Sequence, residues 1–231
     1  MSQNKFWALD FDRCLGSTPK LYELFVKIIE ELTEVTDTQL RDARIAVEQT
    51  GGSFDILEYL FAHNLLDDLS YPYAAQQFRA QALKVPGSML EPGAELFLQY
   101  LQYTKQPFGI VSYGDPRWQQ LKIAASGLDH IPHMIVPHKH KGQDIAAWYD
   151  VFMSAFVIPN ALSVKQLHVE TVVLVDDKAA AFDGLPPQTR GYWLQLGESL
   201  LVSQQGSIPG QVQAVRSFEQ IIKYEKRRSK E

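Results

Sequence analysis

Phe6-Trp7-Ala8-Leu9-Asp10-Phe11-Asp12 sets a short apolar run against two acidic residues one position apart. A run this brief, stopped this abruptly, reads as a buried strand rather than an amphipathic helix. Two further stretches have the same form. Phe108-Gly109-Ile110-Val111 stops at Ser112, with Gly114 close behind, and Thr171-Val172-Val173-Leu174-Val175 stops at Asp176-Asp177. The second of these is β-branched and lacks alternation, which favours a strand covered on both faces of a parallel sheet. His133-Met134-Ile135-Val136, halted by Pro137, and Gly191 to Leu196 are a fourth and a fifth candidate.

Helical patterns lie between these strands. Glu91-Pro92-Gly93 opens a helix whose Leu96, Tyr100 and Tyr103 are expected to face the sheet, and Pro116 opens another through Leu121 and Ala125. Helices are also expected over Gln143 to Phe156 and from Val212 to Glu231. Strands alternating with helices predict an α/β fold, a three-layer α/β/α Rossmann-like core around a parallel sheet. Residues 18 to 87 differ. Leu21, Leu24, Phe25, Ile28 and Leu32 recur at helical spacing, Thr36 or Asp37 can cap a second helix, and Ser53 a third bearing Ile56, Leu57, Leu60 and Phe61. A fourth segment runs from Tyr73 to Leu83. The expected organisation is a core of residues 1–17 and 88–231 with an all-helical insertion at 18–87.

Composition narrows the function classes. Across 231 residues, 22 Lys plus Arg against 27 Asp plus Glu leave a charge of −5, which argues against a general nucleic-acid binder. Hydrophobic residues make up 45% and charged residues 21%, enough apolar content for a full core. No stretch reaches the roughly 18 uninterrupted apolar residues of a membrane helix, so no membrane partner is expected. The opening residues lack the apolar run of a secretion leader, and the single cysteine, Cys14, cannot form an internal disulfide. The expected setting is cytoplasmic.

Ligands of parallel α/β sheets gather beyond the carboxyl ends of the strands. Asp10 and Asp12 are one residue apart, so in extended geometry both carboxylates point to the same side. Their mutual repulsion makes sense if a cation is bound. With Asp177 the donor set is hard and all oxygen, suited to Mg²⁺.

Four motifs in this order resemble the haloacid dehalogenase-like hydrolases: Ala8-Leu9-Asp10-Phe11-Asp12, Gly109-Ile110-Val111-Ser112-Tyr113-Gly114, a lysine, and Val173-Leu174-Val175-Asp176-Asp177. The likeness covers residues 5 to 17 and 88 to 197, and the helical insertion stands where that family places a cap. The resemblance implies a Mg²⁺-dependent phosphatase acting on a small phosphorylated metabolite. It implies that Asp10 attacks phosphorus to form an aspartyl-phosphate, and that Asp12 protonates the departing oxygen and then activates water. The Asp10 carboxylate, the Asp12 carbonyl and Asp177 would hold the metal, with Asp176 supporting them. Ser112 and the amides of Tyr113 and Gly114 would hold phosphoryl oxygens, with the lysine beside them. Lys141 precedes the expected Gln143 helix and is the first choice; Lys139 and Lys165 are the alternatives. Asp183 is a candidate structural partner.

After Asp12 the family usually carries Gly-Thr or Gly-Val, and this chain carries Arg13-Cys14. Arg13 either constrains the turn or reaches a substrate anion, since guanidinium matches phosphate geometry. Cys14 reads as a small buried hydrophobe. A carbon–halogen hydrolase would lack Asp12. A phosphomutase would keep every residue named, and a binding module without activity is the rival from another class.

Other signals carry less. His130, His133, His138 and His140 invite a zinc reading, but no cysteine pair accompanies them. The basic terminal run from Lys223 reads as a solvated end. In the helical insertion, Tyr22, Gln49, Asp55 and Tyr59 could select substrate, although helical periodicity explains each as well.

Overall fold

The computed structural model describes residues 5–49, 54–163, 165–196 and 208–228. The chain begins with β1 (Lys5–Leu9), α1 (Thr18–Leu32), α2 (Asp37–Gln49), α3 (Ile56–Ala62), α4 (Tyr71–Ala82) and α5 (Ala94–Tyr103). It continues through β2 (Phe108–Tyr113), α6 (Pro116–Ala125), β3 (His133–Val136), α7 (Lys141–Ala147), β4 (Tyr149–Asp150), β5 (Ala155–Ile158) and β6 (Leu167–Val169). The last elements are β7 (Thr171–Asp176), a 3₁₀ turn (Ala179–Phe182), β8 (Arg190–Leu194), β9 (Val212–Val215) and α8 (Phe218–Arg228).

Six strands form a sheet in the order β3-β2-β1-β7-β8-β9, and every neighbouring pair is parallel. All five residues of β1 are buried, as a strand covered on both faces requires. Successive side chains serve opposite faces. Trp7 stacks on Tyr192 at 6.1 Å and meets Phe97 edge-on at 5.4 Å, while Phe97 stacks on Phe218 at 5.0 Å, so α5 and α8 cover one face. Phe6 and Ala8 join Val172, Leu174, Ile145, Phe156 and Phe182 on the other, beneath α7 and the 3₁₀ turn. The chain runs outward from β1 through β2 and β3, then returns to β7 on the opposite side of β1. This reversal sets the carboxyl ends of β1, β2 and β7 side by side, where open α/β sheets bind ligands.

Two compact units divide the chain. The first holds Met1–Gly16, Leu90–Tyr113 and His130–Glu231, and the second holds Ser17–Met89 and Gly114–Asp129. The described residues of the second form only helices, joined by an aromatic cluster in which Phe25 meets Phe78 at 5.2 Å and Trp118 at 4.9 Å. Trp118 thus ties α6 to α1 and α4, whereas the sequence groups 114–129 with the sheet. Asp55 caps α3, accepting from the Glu58 amide at 2.9 Å; Ser53, the cap expected from the sequence, lies outside the described residues. Tyr59 packs on His63 at 4.2 Å, and the Arg44 guanidinium lies 5.4 Å from the Tyr22 ring centre. Among the described residues no helix is long and apolar enough to cross a membrane.

Several elements depart from the sequence expectation. The helix expected over Gln143 to Phe156 ends at Ala147, because Asp150 Oδ1 accepts from the amides of Phe152 (2.8 Å) and Met153 (3.0 Å) and turns the chain into a hairpin. Strands β4, β5 and β6 then form a small antiparallel sheet. The terminal helix begins at Phe218 rather than Val212, since Val212–Val215 pairs with β8 and supplies partners for its edge. In α5 the buried residues are Ala94, Phe97, Leu98 and Leu101, leaving Leu96 (52%) and Tyr103 (88%) exposed, so the core stripe lies beside the one expected.

Candidate active site

Asp10 follows the last residue of β1, and its amide continues the ladder by donating to the Val175 carbonyl at 2.9 Å. Asp176 ends β7 one position beyond Val175, the register partner of Leu9. Parallel pairing therefore brings Asp10 level with Asp176 although 166 positions separate them in sequence, from 10 to 176. On the other side Leu9 pairs with Ile110, which sets the fully buried Ser112 near the same sheet edge. Carboxylate oxygens of Asp10, Asp176 and Asp177 lie within 4.8 Å of one another.

Lys141, at the start of α7, reaches into this cluster. Its ammonium donates to Asp10 Oδ1 and to Asp176 Oδ2, the latter at 2.6 Å. Asp176 is engaged on both oxygens, since the Lys178 amide donates to Oδ1 at 2.8 Å. Lys139 lines the same cavity without appearing in these bonds, and Lys165 is exposed and does not line it. Asp12, half-buried, and Tyr113 complete the lining with Lys178.

Burial first, then the charge of Asp176, pushes the Asp10 carboxyl well above its usual range, while Lys141 pulls it back. The same two causes raise Asp177 to about 7. Burial also works against the charge on Lys141, yet the carboxylates of Asp10 and Asp176 outweigh it and hold the ammonium above its ordinary value. Three clustered carboxylates thus face one buried ammonium, a deficit of positive charge that a divalent cation would fill. Among the described residues Asp177 Oδ1 is buried with no hydrogen-bond partner, while the Asp177 carbonyl accepts from Trp193 Nε1 at 2.9 Å. Such an oxygen, grouped with the carboxylates of Asp10 and Asp176, suits a ligand for a hard cation. The residues present fit Mg²⁺.

The departure at Arg13-Cys14 falls in the first loop. Arg13 adopts the left-handed region at φ 57°, the conformation a glycine takes most readily. Its amide donates to the Gly16 carbonyl at 2.9 Å, and Gly16 packs so closely on Phe11 that a Cβ would meet the ring at 2.4 Å. Arg13 is exposed, and its charge acts on Asp177. Cys14 is fully buried, and burial followed by the Asp10 charge pushes its thiol up, which keeps it unreactive. Gly114, at φ 140°, begins the 114–129 stretch of the second unit; there the Gln119 amide nitrogen lies 2.5 Å from where its Cβ would stand.

Two features escaped the sequence reading. Lys178 directly follows the acidic pair, a position that could have drawn attention. The histidines before Lys141 take carboxylate partners: His140 Nδ1 lies 3.0 Å from Asp183 Oδ2, and His138 Nε2 lies 3.5 Å from Asp144 Oδ1. Among the described residues no histidine joins a metal-type cluster.

No protein-family model matches the chain, and no curated protein matches it. Solved structures do. A protein of Burkholderia xenovorans LB400 classed as a haloacid dehalogenase-like hydrolase superposes with a TM-score of 0.61 at 20% identity, over 97% of this chain and 98% of that one. A hydrolase of the same superfamily from Bacillus subtilis, described as bound to magnesium, gives 0.48 at 14% identity over 96% and 98% of the two chains. A Thermotoga maritima protein classed as a β-phosphoglucomutase gives 0.49 at 15% identity over 96% and 99%. At 20% identity the Burkholderia xenovorans superposition is a likeness of architecture. Taken with the parallel sheet and its order, it establishes that the chain has the fold of the haloacid dehalogenase-like hydrolases.

Proposed function

We propose that the protein is a Mg²⁺-dependent phosphatase that hydrolyses a small phosphomonoester through an aspartyl-phosphate on Asp10. The observation that carries this reading is the meeting of Asp10, Asp176 and Asp177 around the Lys141 ammonium at the carboxyl edge of the sheet.

The Asp10 carboxylate attacks phosphorus, the bond to the leaving oxygen breaks, and the Asp12 carboxyl gives that oxygen its proton. Asp12, now a carboxylate, takes a proton from water as its oxygen attacks the aspartyl-phosphate. Inorganic phosphate leaves, and the Asp10 carboxylate and Asp12 carboxyl are restored. Lys141 holds Asp10 in place and adds positive charge beside the transferred group. Ser112 and the Tyr113 amide, with the Gly114 amide on the sequence pattern, hold phosphoryl oxygens. Mg²⁺, bound by Asp10, Asp177 and the Asp12 carbonyl with Asp176 in support, would offset the repulsion between an anionic nucleophile and an anionic substrate. The balanced composition and the likeness of fold support a soluble metabolic enzyme acting in the cytoplasm, without nucleic acid or membrane.

The test is Mg²⁺-dependent phosphate release from a panel of phosphorylated sugars, nucleotides and organic acids. Asp10→Asn should lower release by roughly 10³-fold or more. Release unaffected by Asp10→Asn would overturn the reading, and phosphoryl return to the substrate in place of free phosphate would assign a phosphomutase.

A further inference from the structure

Beyond Lys141, two further lysines line the cavity at Asp10, Lys139 and Lys178. Lys141 is buried and committed to Asp10 and Asp176. Lys139 and Lys178 line the same cavity with exposed side chains, and among the described residues neither ammonium forms an ion pair. They arrive from separate segments, Lys139 from the loop between β3 and α7 and Lys178 from the turn after β7.

Both segments are anchored while the two side chains stay in solvent. Lys139 lies between His138 and His140, which are held to Asp144 (3.5 Å) and Asp183 (3.0 Å). The Lys178 amide is bonded to Asp176 Oδ1 at 2.8 Å. Fixed backbones with ammonium groups on two sides of one cavity form a receptor for negative charge in which binding orders the two side chains and not the segments that carry them. Lys141, Ser112 and the adjoining amide suffice for the phosphoryl oxygens. The two outer lysines therefore face the remainder of the molecule that carries that phosphoryl group.

We propose that Lys139 and Lys178 form a second anion subsite, so that the preferred substrate is a phosphomonoester bearing a further anionic group, carboxylate or phosphate, close to the phosphoryl group removed. The proposal rests on the phosphatase reading of the site and specifies its substrate class.

The test uses the full-length Asp10→Asn protein, which leaves ligands intact, titrated by calorimetry in Mg²⁺ buffer. The ligands are 3-phosphoglycerate and glycerol 3-phosphate, which differ by a carboxylate in place of a hydroxymethyl group. The carboxylated ligand should bind about tenfold more tightly, as expected for two solvent-exposed ion pairs. That ratio should fall toward unity in Lys139→Met/Lys178→Met and persist in Lys139→Arg/Lys178→Arg. Equal affinities before substitution, or a ratio that survives the double methionine change, would overturn the subsite. Fructose 1,6-bisphosphate against fructose 6-phosphate asks the same question of a second phosphate. Turnover by the unsubstituted protein without charge preference would sink the subsite and leave the phosphatase standing. A lysine-dependent binding ratio without turnover would do the reverse.

Discussion

Lys141 is placed between groups whose protonation preferences oppose one another. Asp10 and Asp176 keep it charged against the effect of burial, and it in turn limits how far Asp10 rises. Breaking such a buried arrangement by removing one partner leaves uncompensated charge. Lys141→Met is expected to lower stability by about 3–5 kcal/mol, read as a reduced urea midpoint without divalent ions, and to lose phosphate release. Adding Asp176→Asn should restore part of the stability and none of the activity. A Lys141→Met protein as stable as its parent would show that the ammonium compensates nothing. At this scale the acidic residues were legible, because each terminates an apolar run. The lysine was legible as a preference for Lys141 over Lys139 and Lys165, and no more than that, since a long side chain can reach a site from many positions.

α7 depends on a contact that only a glycine permits. A Cβ at Gly142 would stand 2.5 Å from the Asp183 carbonyl oxygen and 2.8 Å from the Leu185 amide nitrogen. Both neighbours are backbone, so no side chain can swing aside. Gly142→Ala should therefore displace the start of α7, lower stability by about 1–3 kcal/mol, and reduce phosphate release even at temperatures where the protein remains folded. Gly210→Ala, with nothing within 4 Å, is the control. Thermal melting and initial rates measured side by side check both; an unchanged rate in Gly142→Ala would detach the helix position from activity. The elements misread from sequence share a cause. Val212–Val215 is a strand because β8 offers an unpaired edge, and the hairpin after Ala147 depends on Asp150 capturing two amides. Both depend on partners that a local pattern does not contain.

The first unit is assembled from three separate stretches of chain, and a buried polar cluster at Lys5 and Glu225 links its beginning to its end. The Lys5 ammonium pairs with Glu225, which also accepts from the Tyr192 hydroxyl at 2.7 Å and lies near Arg190 (3.7 Å) and Arg228 (3.6 Å). β1, β8 and α8 are thereby joined. Lys5→Met should lower stability by about 1–3 kcal/mol, since Glu225 loses its buried ammonium and keeps Tyr192 and the two arginines, and Lys5→Met/Glu225→Leu should recover most of it, both read by urea unfolding. Burial works against the Glu225 charge, but hydrogen bonds from Lys5 and Tyr192 outweigh it and hold the carboxyl below its ordinary value of 4.5. The folded state then binds this proton less readily than the unfolded chain. The stability involved is present above pH 4.5 and is lost as pH falls through the lower folded value. The urea midpoints of the parent and Glu225→Gln should converge as the pH falls below that folded value. A gap that stays constant across that range would assign the cluster no role in acid stability.

By itself the sequence determined the α/β class, the buried strands and the acidic residues ending them, because apolar runs stopped by charge are local patterns with one economical structural solution. Tertiary structure decided which lysine touches Asp10, which helices share a unit, and where the last strand pairs. It also brought Lys139 and Lys178 to one cavity. The difference is physical: burial is written into the order of side chains along the chain, whereas contacts between distant segments depend on strand register, loop path and close backbone packing, which arise only once the sheet has formed.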